Sequence, residues 1–112
     1  MINIIIPLKP ISVNCAFQGR RFKTKACKSF EQTALMFLPV CQTAIKGWCA
    51  IRYSFFLKHW KTTDADNLVK VIQDLIVKQS YIEDDRKIIQ YLIEKIPALK
   101  DKIEIAIYSK IV

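Results

Sequence analysis

Between residues 65 and 78, Leu68, Val71, Ile72, Leu75 and Ile76 recur at i, i+3, i+4, i+7 and i+8, which predicts one apolar helix face from about Ala65 to Lys78. Asp66, Lys70 and Asp74 fall one turn apart on the opposite face. Lys102 to Tyr108 alternates instead, with Ile103, Ile105 and Ile107 on one side, and reads as a strand. Arg86 to Ile96 is a further strand, and the turn at Pro97–Asp101 joins the two as an expected hairpin. Upstream, Ile-rich Asn3–Leu8 predicts a first strand, and Pro10–Asn14 a turn or extended loop. Cys27, Phe30, Ala34, Phe37 and Leu38 predict a helix over about Thr24–Leu38, with Thr24 as its N-cap and Pro39 at its end. Trp48–Leu57, aromatic and apolar without helical spacing, is a strand whose aromatics belong to the core. The order βαβαββ gives an α+β fold, a mixed sheet with helices packed on it, as a single small domain over residues 1–112.

Charge adds an asymmetry to this frame. Residues 1–61 hold ten basic residues and one acidic residue, Glu31, whereas residues 62–112 hold eight basic and nine acidic. A net charge of +8 concentrated in the first half suits a polyanionic partner, and Gln18–Lys25, with Arg20, Arg21, Lys23 and Lys25, reads as an exposed loop suited to a phosphate backbone. The four cysteines are widely spaced without a C-x-x-C pair, and His59 is the one histidine, so structural zinc is not expected. Free thiols and no long apolar run predict a reduced, cytoplasmic protein without a membrane span.

The chemistry is expected at Asp64-Ala65-Asp66-Asn67 with Lys70, followed by Asp84-Asp85. Two carboxylates 4 Å apart repel by about 1 kcal/mol in water and about 4 at an effective dielectric of 20, so an ionised cluster needs a cation. Mg²⁺ suits it, taking one or two carboxylates and keeping waters and substrate phosphate as further ligands. Taken alone, the helix admits a plainer account: Asp in a first turn favours the dipole, and Asp66, Lys70 and Asp74 form an i, i+4 ladder.

The full constellation resembles the RusA family of Holliday junction resolvases. The family pattern D-x-D-N-x-x-K-x-x-x-D with an acidic pair about ten residues on is filled by Asp64, Asp66, Asn67, Lys70, Asp74, Asp84 and Asp85. Pro10-Ile11-Ser12-Val13-Asn14 is similar to its P-x-S-x-N segment, and Gly19-Arg20-Arg21 to Phe30 to its basic stretch entering the first helix. Cys27 and Phe30 stand where the family often has Tyr and Trp, and Lys87 where a Gln commonly follows the acidic pair.

The resemblance implies a homodimeric, Mg²⁺-dependent endonuclease, with Mn²⁺ as the alternative ion, that resolves four-way DNA junctions by paired nicks in recombination and repair, encoded by a phage or prophage. It implies Asp64, Asp66 and Asp85 as metal ligands and Lys70 as a catalytic lysine, with Asn67, Asp74 and Asp84 supporting. Asn14, Arg20, Arg21, Lys23, Lys25, Lys58, Trp60 and Lys61 are the expected DNA contacts, and Trp60, Phe55 or Phe56 the candidate wedge at the exchange point. Two other readings remain at this point: a branched-DNA-binding module without turnover, and a nuclease for flaps or forks.

Overall fold

Strand β4 (Cys49–Leu57) buries Cys49, Ile51, Tyr53, Phe55 and Leu57 along one face, and it takes the middle of the sheet. In the computed structural model, which describes residues 1–18 and 22–111, β4 pairs on one side with β5 (Ile88–Pro97) and on the other with β6 (Lys102–Ser109). The β4–β5 pairing is parallel, from Ala50 opposite Gln90 to Leu57 opposite Pro97, and the β4–β6 pairing is antiparallel. Strand β1 (Ile2–Ile6) lies antiparallel beyond β6, giving the order β1-β6-β4-β5. The α+β fold with a mixed sheet is the one the sequence predicts.

The hairpin expected from the last two strands is not formed. β5 and β6 flank β4, and the link between them passes over the end of that strand. There the Ala98 N–H donates to the Leu57 carbonyl at 3.1 Å, and the Lys58 N–H donates to Asp101 Oδ1 at 2.9 Å. Alternation tells which face of β6 is buried, but not which strand lies beside it.

Three helices lie on one side of the sheet, the shortest packing on the other two. α1 (Val13–Ala16), which begins in the predicted loop and runs two residues past it, is capped by Ser12, whose Oγ accepts the Cys15 N–H at 3.2 Å. A two-residue ribbon, β2 (Phe17–Gln18) with β3 (Phe22–Lys23), leads into α2 (Lys25–Ala34). Thr24 caps α2 as predicted, but the regular helix stops at Ala34 and a 3-10 turn, Leu35–Phe37, finishes it short of Pro39. α3 (Val69–Lys78) follows a 3-10 turn at Ala65–Leu68, where Asp66 and Asn67 disfavour a regular first turn.

The stripe on α3 is buried as its spacing predicts: Leu68, Val71, Ile72, Leu75 and Ile76 are all 3% exposed or less. Leu68, Ile72, Leu75 and Ile76 pack with Tyr53, Phe55, Ile103, Ile105 and Ile107 in the main core. The Tyr53 hydroxyl donates to Gln73 Oε1 at 2.8 Å, and Gln73 Nε2 donates to the Tyr91 hydroxyl at 3.1 Å, so one amide ties β4, α3 and β5 together. Burial pushes the Tyr53 hydroxyl far above its ordinary pKa and keeps it a donor. On the uncovered face Glu94 accepts from Arg52 at 2.9 Å and from Ser54 at 2.7 Å. Among the described residues no helix is long and apolar enough to cross a membrane.

Ile72→Ala removes a fully packed side chain and is expected to lower stability by about 2–5 kcal/mol. Ile5→Ala, at a position 59% exposed, should cost under about 1 kcal/mol. Urea unfolding followed by circular dichroism reads both.

Candidate active site

Where β4 ends, the chain turns sharply through a 3-10 turn at Trp60–Thr62 before reaching the aspartates. The His59 carbonyl holds this turn, accepting from the Thr63 hydroxyl at 2.9 Å and the Thr62 N–H at 3.3 Å. Lys95, on β5, fastens the same segment from below: its Nζ donates to the Trp60 carbonyl at 2.8 Å and the Thr63 carbonyl at 2.9 Å. An ammonium group therefore fixes the backbone one residue before Asp64. Nothing in the local sequence announces Lys95, because its partners lie more than thirty residues upstream.

Asp64 occupies the N-cap position of the turn that follows, with extended backbone, but its side chain caps nothing. Its backbone carbonyl accepts the Asn67 N–H at 3.2 Å, and the carboxylate faces a cleft of about 610 Å³ shared with Lys9, Ser12, Asn14, Thr62 and Asn67. Asp66 is exposed in the first turn. Among the described residues neither Asp64 nor Asp66 has an ion-pair partner. Lys70 is exposed and bonds Asp74 at 3.3 Å, one turn along. The ladder account thus holds for Lys70–Asp74 and fails for Asp66.

The acidic pair sits elsewhere. Asp85 opens a 3-10 turn, Asp85–Lys87, that leads into β5 at the end of the sheet where β4 begins. Ile88 and Lys95 are seven residues apart, so at ~3.3 Å per residue Asp85 and the Asp64 loop are separated by on the order of 20 Å. Asp84 is the N-cap of that turn: its carboxylate accepts the Arg86 N–H at 2.9 Å and pairs with the guanidinium at 3.0 Å. The Arg86 side chain first, then its backbone N–H and a hydrogen bond from the Asp85 side chain, bring the Asp84 pKa down to about 2. Arg86 thereby keeps Asp84 charged and occupied.

The expected DNA contacts divide. Asn14 lines the cleft beside Asp64, and Lys25, Lys58 and Lys61 are exposed. Lys23 is committed to Glu31 at 2.8 Å, and the Lys61 ammonium lies 5.6 Å from the Trp60 ring. Arg20 and Arg21 lie outside the described residues. Of the candidate wedges, Phe55 is fully buried, Phe56 lies under the Lys102 ammonium on the open sheet face, and Trp60 is 36% exposed near the aspartates. Sequence reasoning passed over Lys9 in the cleft, which neighbours the P-x-S-x-N segment.

Among the described residues of one chain, no three His, Cys, Asp or Glu side chains lie close enough to hold a metal ion together. Asp64 and Asp66 alone match the one or two carboxylates that Mg²⁺ takes from a protein.

Asp64 and Lys9 thus line one cleft of an α+β domain whose first half is basic. A family model described as "Endodeoxyribonuclease RusA" matches residues 16–108, and the chain belongs to that family of endodeoxyribonucleases, whose activity is the resolution of Holliday junctions. No curated protein matches the chain.

Arg86→Ala should raise the Asp84 pKa from about 2 toward 3.8, read by carboxyl NMR titration. Because the folded pKa is the depressed one, the pair's contribution to stability is complete above 3.8 and is lost as pH falls through about 2. Lys95→Met should increase hydrogen exchange at the Thr62 and Asn67 amides about tenfold while leaving α3 protected.

Proposed function

We propose that this protein is a Mg²⁺-dependent endonuclease that resolves four-way junctions by paired nicks, acting as a homodimer, with residues 1–112 as its single domain. The observation that carries the reading is Asp64 at a cleft with Asp66 exposed two residues on, both without ionic partners among the described residues, where Lys23, Lys70 and Arg86 are paired to other acids. Carboxylates left without counter-charge beside Asn14, Asn67 and Lys9 suit a cation and a phosphate.

Asp64, Asp66 and, from a second chain, Asp85 would hold the metal. Within one chain Asp85 stands at the far end of β5, so a site that uses all three takes Asp85 from a two-fold-related copy. Two such sites related by the dimer axis match the two strands of a junction cut in pairs. When bound, the ion supplies a more acidic water and positive charge for the phosphoryl oxygens.

The residues of the chain do the rest. Asn14 and Lys9 line the cleft where the scissile strand would lie, and Lys95 keeps the loop from moving as phosphate approaches. Lys70, one turn from Asp66, adds positive charge near the departing oxygen once Asp74 releases it. Lys25, Lys58, Lys61, Arg20 and Arg21 would hold the arms, with Trp60 at the exchange point. The free thiols of Cys15, Cys27, Cys41 and Cys49 suit a reducing cytoplasm, and a phage or prophage origin fits a recombination enzyme of this size.

The test is a labelled mobile four-way junction at ~0.1 M salt, where long-range charge attraction is screened beyond ~10 Å, with Mg²⁺ or EDTA. Paired nicks in Mg²⁺ alone support the reading; tight binding without nicks assigns a binding module, and cutting of flaps or forks alone changes the substrate. Asp66→Asn and Asp85→Asn should each lose cutting by at least about a hundredfold and still bind junctions. Mixed together, the two variants should regain single nicks from about a quarter of the sites, since half the dimers then carry one complete site. No recovery on mixing would place all the ligands in one chain.

A further inference from the structure

The cleft beside Asp64 has two layers. Lys9, Asn14 and Asp64 line it from exposed positions and form its rim. Beneath them the lining is largely apolar: Pro10 and Leu68 are buried, and Ile11 and Phe30 are half-buried. A hydrated cation and a phosphate use only the rim, because an apolar wall offers neither of them a ligand. The interior calls for a different occupant.

We propose that the cleft is a subsite for one unpaired deoxynucleotide of the bound DNA, with its base against Pro10, Ile11, Phe30 and Leu68 and its phosphate at the rim beside Lys9. The inference rests on the nuclease reading above and adds to it the group by which the strand next to Asp64 is gripped.

Size and polarity both favour a nucleotide. A volume of about 610 Å³ lies in the ~300–1,000 Å³ range of clefts that take small ligands, so it admits a base with its sugar and excludes a paired helix. A base has two apolar faces and a polar edge. The apolar lining suits the faces, and the carboxamides of Asn14 and Asn67, which line the same cleft, suit the edge. Neither carboxamide takes part in the bonds that cap α1 or fasten the acidic loop, which are made by Ser12, Thr62, Thr63, Lys95 and the main chain of Asn67. Both amides are therefore left for a ligand.

Location points the same way. Trp60, proposed above at the exchange point, opens the turn that ends at Thr62, and Thr62 lines the cleft. An aromatic side chain that enters a base stack and a cleft that receives the displaced base are complementary parts. Bases at an exchange point are also the least costly to withdraw, since their stacking is already interrupted.

Cys15 supplies the probe: it is exposed and lines this cleft, whereas Cys27 and Cys49 are buried and Cys41 is half-buried. The full chain is treated with a maleimide in EDTA, without DNA, and the Cys15 adduct is followed by mass spectrometry. Deoxynucleoside monophosphates at millimolar concentration should slow the adduct at least about fivefold, and deoxyribose phosphate, which has no base, should not. Ala26→Phe, at an exposed position of α2 that lines the cleft, should abolish the protection and leave the circular dichroism unchanged. On DNA, the Asp66→Asn protein is offered junctions that carry one thiol-tethered base. Disulfide formation with Cys15 should come from bases at the exchange point and be at least about tenfold weaker from bases paired within an arm. Absent protection, equal protection by deoxyribose phosphate, or crosslinking that ignores position would overturn the proposal without touching the nuclease reading. Protection by nucleotides in a protein that cuts no junction would support the subsite and overturn the nuclease reading instead.

Discussion

The parallel pairing of β4 with β5 is the constraint on which the remaining geometry depends. Two parallel neighbours require the chain to leave the end of the first and return to the start of the second, and α3 makes that return. The segment leaving β4 carries Asp64 and Asp66, and the segment entering β5 carries Asp84 and Asp85. Acidic groups about twenty positions apart in sequence are therefore driven to opposite ends of one sheet. A hairpin in place of this crossover would have kept them together.

The charges of the two acidic segments are handled in opposite ways. Asp84 is bound by Arg86 and by backbone N–H, so it serves the turn, whereas Asp64 and Asp66 are presented on a loop whose backbone is fixed by Lys95. Fixing the main chain leaves the carboxylates rotatable but not mobile as a group. Side chains that hold a ligand gain from such an arrangement because the cost of ordering them is met on folding rather than on binding.

Much of the fold was legible because periodicity reports burial. The Leu68–Ile76 stripe and the alternation of Ile103, Ile105 and Ile107 each correspond to buried faces, and Thr24 caps as its hydroxyl predicts. Neighbours were not legible in the same way. A period of two says which side of β6 is inside, and is silent on whether β4 or β5 lies next to it. The ribbon at Phe17–Lys23 and the one-turn helix at Val13–Ala16 are shorter than any period that could announce them. At the site, residue types and spacing pointed to Asp64 and Asp66, but their distance from Asp85 is a property of topology. Lys95 was invisible because its role depends on two main-chain carbonyls rather than on a side chain with a recognisable partner.

Thr24 caps α2 and also closes the base of the ribbon: its N–H donates to the Ala16 carbonyl at 2.8 Å and its hydroxyl reaches the Cys15 carbonyl at 2.8 Å. The strands leaving Ala16 and returning to Thr24 are thus joined where they meet the body of the protein. Whatever chain runs between those two residues can lengthen without moving α2, and doubling a flexible loop costs only about 0.6 kcal/mol in closure entropy. Insertions and sequence divergence between Phe17 and Lys23 are therefore the changes this fold absorbs most readily while the acidic loop stays as it is.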